Sequence, residues 1–321
     1  VGKVKCAKLS GSVGAGFICT EGMKVSIAEM QLHSPAKVNL MLSVHGKRAD
    51  GFHELTSLVV ALAFGDDLRV RLASTSADQL KCSDPSVPTG ADNLILKAAE
   101  LFRQRVGRAI FFEFDLEKRI PMGAGLGGGS SNASTALVAM NALSGDALTR
   151  EVLLELAAEL GSDCPFFIDP KPALMRGRGE VIEVLDASQA ERLRGLRIAL
   201  FRPAFSINTA WAYGQLAAAA PSSYESEPEA AARLELLSET CAGLPSALLY
   251  NSFEAAVGQK YLAIPSLLDS LRERSVPCLM SGSGSCCFAL LERSSISTSQ
   301  LKELCQNALG PTAFWVETEI C

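Results

Sequence analysis

Apolar and polar positions alternate most clearly at Ile110–Glu117, where Ile110, Phe112, Phe114 and Leu116 are interleaved with Glu113, Asp115 and Glu117. A period of two belongs to a strand with one buried and one wet face. The same period makes a strand of Ser34–Leu42 and sets Lys37 and Asn39 on one face. Taken alone, that segment fits a solvated edge strand equally well. Leu58–Val70 reads as strand, turn at Gly65-Asp66-Asp67, strand.

Helical spacing appears three times in the first half. Residues 93–106 carry Leu94, Ala98, Leu101 and Phe102 on one face, with Asp92 as the expected cap, after a loop holding Pro85 and Pro88. Ser130–Leu143 repeats Ala133, Leu137 and Met140 at the helical period, and Thr149 heads a stripe of Val152, Leu153, Leu156, Ala157 and Leu160 that Gly161 ends. Arg176–Glu180 makes a tight turn into a strand at 181–185.

A composition shift at Asp186–Arg194 marks a domain boundary, giving expected domains at 23–188 and 189–321. Beyond it, strands at 196–202, 277–281, 286–291 and 312–318 alternate with helices at 227–243, 246–258, 265–274 and 298–308. That order suits an antiparallel sheet covered by helices, hence an α+β class. Residues 1–22 lack any period, a secretory apolar core or an Arg-rich amphipathic pattern, and Met23 is a sensible start. They are expected to lie outside the fold.

The run Gly123-Ala124-Gly125-Leu126-Gly127-Gly128-Gly129-Ser130-Ser131 changes the picture from architecture to chemistry. Glycines so dense lose backbone entropy and bury nothing, so they imply a sharp bend or close approach to a ligand. The loop feeds the helix at 130, whose free amides and dipole favour phosphate. A flexible linker is the plain alternative. No Lys-Ser/Thr pair follows, which excludes a Walker loop; G-x-G-x-x-G does match at Gly123, Gly125 and Gly128, but the half-polar strand at 110–117 is unlike the buried first strand of a dinucleotide fold.

Composition narrows the partners. With 321 residues and a net charge of −5, the chain is long enough for two domains and argues against a nucleic-acid surface. Apolar runs such as Leu58–Phe64 are too short to span a membrane. The ten cysteines have no C-x-x-C spacing and only three histidines for company, so they read as reduced thiols and not as a zinc site or a disulfide frame.

Ile120–Asn132 resembles the phosphate loop of the GHMP kinases, roughly Pro-x-x-x-Gly-Leu-Gly-Ser-Ser-Ala, and its extended glycine form resembles the branch acting on a cytidine-diphosphate-linked methylerythritol. Pro35-Ala36-Lys37-Val38-Asn39-Leu40 is similar to that branch's Pro-Ala-Lys-x-Asn-Leu, and Arg48-Ala49-Asp50-Gly51-Phe52-His53 to its Arg-x-Asp-Gly-Tyr-His, with Phe52 where Tyr is usual. Leu160–Phe166 resembles Leu-Gly-x-Asp-x-Pro-Phe, which carries the family's catalytic Asp; by composition alone Asp163 is more simply a turn residue. Met280–Ser285, otherwise a hairpin turn, is similar to the third GHMP motif. Together these span residues 34–288.

The resemblance implies a two-domain GHMP kinase architecture, with a ribosomal S5 domain 2-like, ATP-binding N-terminal domain and a ferredoxin-like, substrate-binding C-terminal domain. It implies transfer of the γ-phosphoryl of ATP, with Mg2+, to the 2-hydroxyl of the cytidyl substrate in the non-mevalonate isoprenoid route. Lys37 and Asp163 become catalytic, and Asn93, Lys118, Pro121, Gly123, Gly125, Leu126, Gly127, Gly128, Gly129, Ser130 and Ser131 nucleotide-binding. Asn39, Phe52, His53, Thr209 and Tyr213 become substrate-binding, with Phe52 and Tyr213 sandwiching the base; no residue is assigned as a metal ligand. The expected partner is a small molecule, with neither nucleic acid nor membrane, in a monomer or weak homodimer of the bacterial cytoplasm or plastid stroma. Another GHMP small-molecule kinase and a GHMP-fold ligand sensor stay open as alternatives, and a dinucleotide-dependent oxidoreductase stands behind them.

Overall fold

The computed structural model describes residues 29–239 and 244–321. The expected extension at 1–22 and the end of the helix expected to reach 243 lie outside the described residues. In order the chain forms β1 (Glu29–Lys47), β2 (His53–Leu72), β3 (Gln79–Cys82), α1 (Leu94–Val106), β4 (Phe112–Glu117), α2 (Gly128–Leu143), α3 (Arg150–Leu160), β5 (Ala173–Gly177) and β6 (Val181–Val184). It continues with α4 (Ala187–Leu193), β7 (Arg197–Arg202), α5 (Thr209–Ala218), α6 (Glu227–Glu239), β8 (Tyr250–Asn251), α7 (Phe253–Gly258) and α8 (Ala263–Glu273). β9 (Cys278–Met280), β10 (Cys287–Leu290), α9 (Thr298–Leu309) and β11 (Phe314–Glu319) complete it.

Among the described residues two sheets form. The larger follows β3-β4-β2-β1-β8, with the β5–β6 hairpin on the far end of β2, and the smaller runs β11-β7-β10-β9, antiparallel throughout. Period-two patterns explain how they stack. On β7, Ile198 and Leu200 join Val60, Leu62, Phe288 and Leu290 between the sheets, while Ala199 and Phe201 turn the other way to meet Phe253, Leu267 and Leu301 from the helices. α1, α2 and α3 cover the larger sheet through Phe102, Leu137 and Leu156 against Phe112 and Phe114. Each such fully buried Leu or Phe contributes about 1.5–3 kcal/mol.

Four expectations need correction. The Ser34–Leu42 strand is no solvated edge: β1 lies between β2 and β8, and residues 38–44 are buried. Gly65-Asp66-Asp67 is not a turn, because β2 runs unbroken through it, with Gly65 opposite Pro35 and Asp66 opposite Ser34. The helix expected at 246–258 is divided into a short 3-10 turn, β8 and α7, because Tyr250 and Asn251 pair in parallel with Met41 and Leu42. At α1 the cap is Asn93, not Asp92: its side chain accepts from the Ile95 N–H at 2.9 Å.

Asp66 stays in the strand because it has donors on every side. Its Oδ1 accepts the Arg119 and Ile120 backbone N–H groups at 2.6 and 2.8 Å, and its Oδ2 accepts the Lys118 ammonium and Asn132 Nδ2, the latter at 2.9 Å. Asn132 Nδ2 also donates to Ser34 Oγ at 2.9 Å, and Ser34 in turn donates to Ser131 Oγ at 2.8 Å. A fully buried carboxylate thus ties β2 to the approach of the glycine run and to the first turn of α2. Removing one partner of such a pair strands the other charge, so Asp66→Ala costs about 3–5 kcal/mol in denaturant unfolding. The double variant Asp66→Ala with Lys118→Met recovers part of that loss.

Candidate active site

The two sheets and the segments between them enclose a cavity of about 800 Å³. One rim is the glycine loop, represented by Gly125, Gly127 and Ser130, and the floor carries Lys37, Asn39 and Ser57 from β1 and β2. The opposite wall holds Phe52, His53, Thr209 and Tyr213, and Gly282 and Ser283 close the side. Asp163, at the turn after α3, is the one carboxylate among the described lining residues.

Lys37 is buried, with its ammonium 3.7 Å from Asp163 Oδ2, whose side chain is 40% exposed. Nζ donates to Asn39 Oδ1 at 2.6 Å, Asn39 Nδ2 to Ser57 Oγ at 2.8 Å, and Ser57 Oγ to the Met41 carbonyl at 2.7 Å. This relay holds the ammonium on the β1 face that the sequence pattern marked, one face away from the core.

The glycine loop is shaped by left-handed backbone at Gly123, Gly125 and Gly127. Gly127 caps α2 with no side-chain partner, so the first amides of α2 are left for a ligand. The loop is clasped from both sides. Lys37 N–H donates to the Leu126 carbonyl at 3.0 Å, Ser281 Oγ to the Gly125 carbonyl at 3.0 Å, and Cys286 N–H to the Ala124 carbonyl at 3.1 Å. Asn251, buried on β8, fixes the 281–285 turn by donating to the Met280 and Gly282 carbonyls at 2.7 and 2.8 Å.

In the aromatic wall Tyr213 stacks on His53 with ring centroids 4.8 Å apart and meets Phe253 edge-on at 4.8 Å. Burial and, less, Asp163 push the Tyr213 phenol up to about 12, so it remains neutral. Burial and then Lys47 push the His53 imidazole down, which favours its neutral form, and its Nε2 is buried without a hydrogen-bond partner. Phe52 stands half exposed at the mouth under the Arg178 guanidinium, 4.8 Å from its ring centre. Thr209 Oγ1 and Ser283 Oγ share a 2.9 Å hydrogen bond across the cavity edge.

Residues 93–169 match the family described as GHMP kinases N terminal domain, and residues 230–308 the one described as GHMP kinases C terminal. The 4-diphosphocytidyl-2-C-methyl-D-erythritol kinase of Protochlamydia amoebophila is 37% identical over 266 residues, 83% of this chain and 85% of that protein. That of Synechococcus sp. (strain CC9902) is 41% identical over 268 residues, 80% and 86% of the two chains. A crystal structure of 4-(cytidine 5'-diphospho)-2C-methyl-D-erythritol kinase superposes with a TM-score of 0.69 at 31% identity, covering 90% of this chain and 99% of that one. The chain belongs to the 4-diphosphocytidyl-2-C-methyl-D-erythritol kinase family. Its α+β, two-domain GHMP architecture is the one expected from the motifs, and GHMP kinases use ATP as phosphate donor.

Within this kinase frame the expected site residues separate into three groups. Lys37, Asn39, Phe52, His53, Gly125, Gly127, Ser130, Asp163, Thr209 and Tyr213 line one cavity. Gly128 and Gly129 open α2, and Pro121 and Gly123 sit on the approach, where a Cβ on Gly123 would stand 3.2 Å from Ser206. Four others make hydrogen bonds or packing contacts within the fold. The Lys118 ammonium is spent on Asp66 beneath the loop, and the Ser131 hydroxyl accepts from Ser34 while its N–H donates to the Gly127 carbonyl. The Asn93 amide caps α1 and donates to the Pro88 carbonyl at 2.7 Å, and the Leu126 side chain is buried in the inter-sheet core.

In the sequence Asp66 reads as a turn residue within Gly65-Asp66-Asp67, and Ser57 and Asn251 carry no local signal. A Cβ on Gly125 would run into the Ser281 carbonyl while φ is +78°. Gly125→Ala therefore forces the clasp open at a strain of about 1–3 kcal/mol and weakens nucleotide binding about ten- to a hundredfold by calorimetry. Gly46→Ala, with open space around its Cβ and no positive φ, serves as the neutral control.

Proposed function

We propose that this protein transfers the γ-phosphoryl of ATP to the 2-hydroxyl of 4-diphosphocytidyl-2-C-methyl-D-erythritol, in the non-mevalonate route to isoprenoid precursors. The observation that carries this reading is one cavity in which a Lys–Asp pair stands between a phosphate-type glycine loop and an aromatic wall, in a chain of the kinase family. The α2 amides and the Ser130 hydroxyl hold the β- and γ-phosphates, which delivers the electrophile without a covalent intermediate. The substrate hydroxyl oxygen attacks the γ-phosphorus, the bond from that phosphorus to the β–γ bridging oxygen breaks, and ADP leaves. The hydroxyl proton passes to the Asp163 carboxylate, while the Lys37 ammonium offsets charge on the equatorial oxygens.

Magnesium fits this arrangement as a nucleotide-bound ion, since Mg2+ keeps several waters and binds through substrate phosphates plus one or two protein oxygens. Asp163 and Ser130, both lining the cavity, would hold it, and it would neutralise phosphate charge. At the other end, the flat faces of Phe52 and Tyr213 suit the cytosine ring, and Phe provides stacking area as well as Tyr does.

Asp163→Asn and Lys37→Met each lower kcat by about two to four orders of magnitude. Nucleotide affinity, measured by calorimetry, changes only a few-fold in both. Near-wild-type turnover of Asp163→Asn removes the carboxylate from the mechanism. Phe52→Ala and Tyr213→Ala raise the KM of the cytidyl substrate about ten- to a hundredfold and leave that of ATP within a few-fold. A rise in the ATP value instead assigns the two rings to the wrong ligand.

A further inference from the structure

Of the buried acids among the described residues, Asp66 anchors the glycine loop and Glu225 has no role in the mechanism above. Glu225 lies on the segment between α5 and α6, is 7% exposed, and binds the edge of β1 by three contacts. Its N–H donates to the Val44 carbonyl at 3.1 Å, its carbonyl accepts from His45 Nδ1 at 2.8 Å, and its Oε2 accepts from the Ser43 hydroxyl. Arg233 Nη2 donates to the remaining Oε1 at 2.7 Å. A carboxylate satisfied on both oxygens in a buried position fixes the backbone that carries it. The residue before it is Tyr224, whose ring lies 6.0 Å from that of His53, tilted by 58°.

His53 therefore sits in contact with two tyrosine rings, Tyr213 stacked and Tyr224 tilted. It lines the cavity and keeps a buried Nε2 without a partner, so packing, not hydrogen bonding at that atom, sets the ring's angle. Tyr224 itself does not line the cavity. We propose that the Tyr224–Glu225 strap is a positioning device for the nucleobase wall: Glu225 locks the strap to β1, and Tyr224 on it holds the His53 imidazole at the angle the base meets. This rests on the cytidyl-kinase reading and adds a residue pair through which selection for the base acts at second hand.

The test is steady-state kinetics of the full chain with both substrates varied, alongside melting temperatures. Tyr224→Ala raises the KM of the cytidyl substrate about three- to tenfold, the worth of one aromatic pair, and leaves kcat and the ATP KM within twofold. Tyr224→Phe, which keeps the ring, restores the wild-type value, and Glu225→Gln, which frees the strap more gently than truncation, moves the cytidyl KM in the same direction as Tyr224→Ala. A cytidyl KM unmoved by Tyr224→Ala overturns the proposal, as does a parallel rise of both KM values with a lowered melting temperature, or failure of Tyr224→Phe to rescue. Should wild-type protein turn over ATP with a different acceptor and ignore the cytidyl compound, it is the functional reading that fails, and the base-wall role falls with it.

Discussion

Asp66 is the constraint on which the site depends. A carboxylate with no exposed surface pays a large desolvation penalty unless its lone pairs are filled, and here donors reach both oxygens from three directions. The geometry that satisfies it also brings residues 118–120 against β2 and draws Asn132 inward. The glycine run between those two anchor points then has fixed ends. Its freedom is reduced to the left-handed turns at Gly123, Gly125 and Gly127, which aim the start of α2 at the cavity. Lys118 and Ser131, through Asp66 and Ser34, help to hold the loop.

The catalytic pair shows the same division between a fixed partner and a free one. Lys37 is enclosed on a central strand and oriented through Asn39 and Ser57, whereas Asp163 sits on a half-buried turn with its side chain partly open. A preset ammonium and an accessible carboxylate suit a reaction whose catalysis is chiefly placement and charge balance.

Local pattern made much of this legible. The face shared by Lys37 and Asn39 follows from strand period, and the glycine run abutting an apolar helix identifies α2 and its phosphate-seeking end. What stayed hidden depends on distant partners. Gly65-Asp66-Asp67 has turn-forming propensity, and donors some fifty residues further on override it. The two-residue β8 exists because β1 accepts it, so a helical spacing at 246–258 absorbed it and concealed Asn251. Asn93 and Ser131 show a second kind of hidden role, in which polar residues beside a ligand loop also carry hydrogen bonds of the fold itself.

The clasp around Gly125 has a consequence for how the protein is made. Its two halves, at 124–126 and 281–286, are far apart in sequence, 156 positions between Gly125 and Ser281, and the Asn251 brace arrives between them. Closing so distant a contact is slow and comes late, because loop-closure entropy has to be overcome before the contact returns anything. A nascent chain leaving the ribosome can shape β1, β2 and α2 early, yet its phosphate loop lacks one wall until residues 281–286 have emerged. Productive nucleotide binding therefore waits for residues 281–286 to be made and to close on the loop.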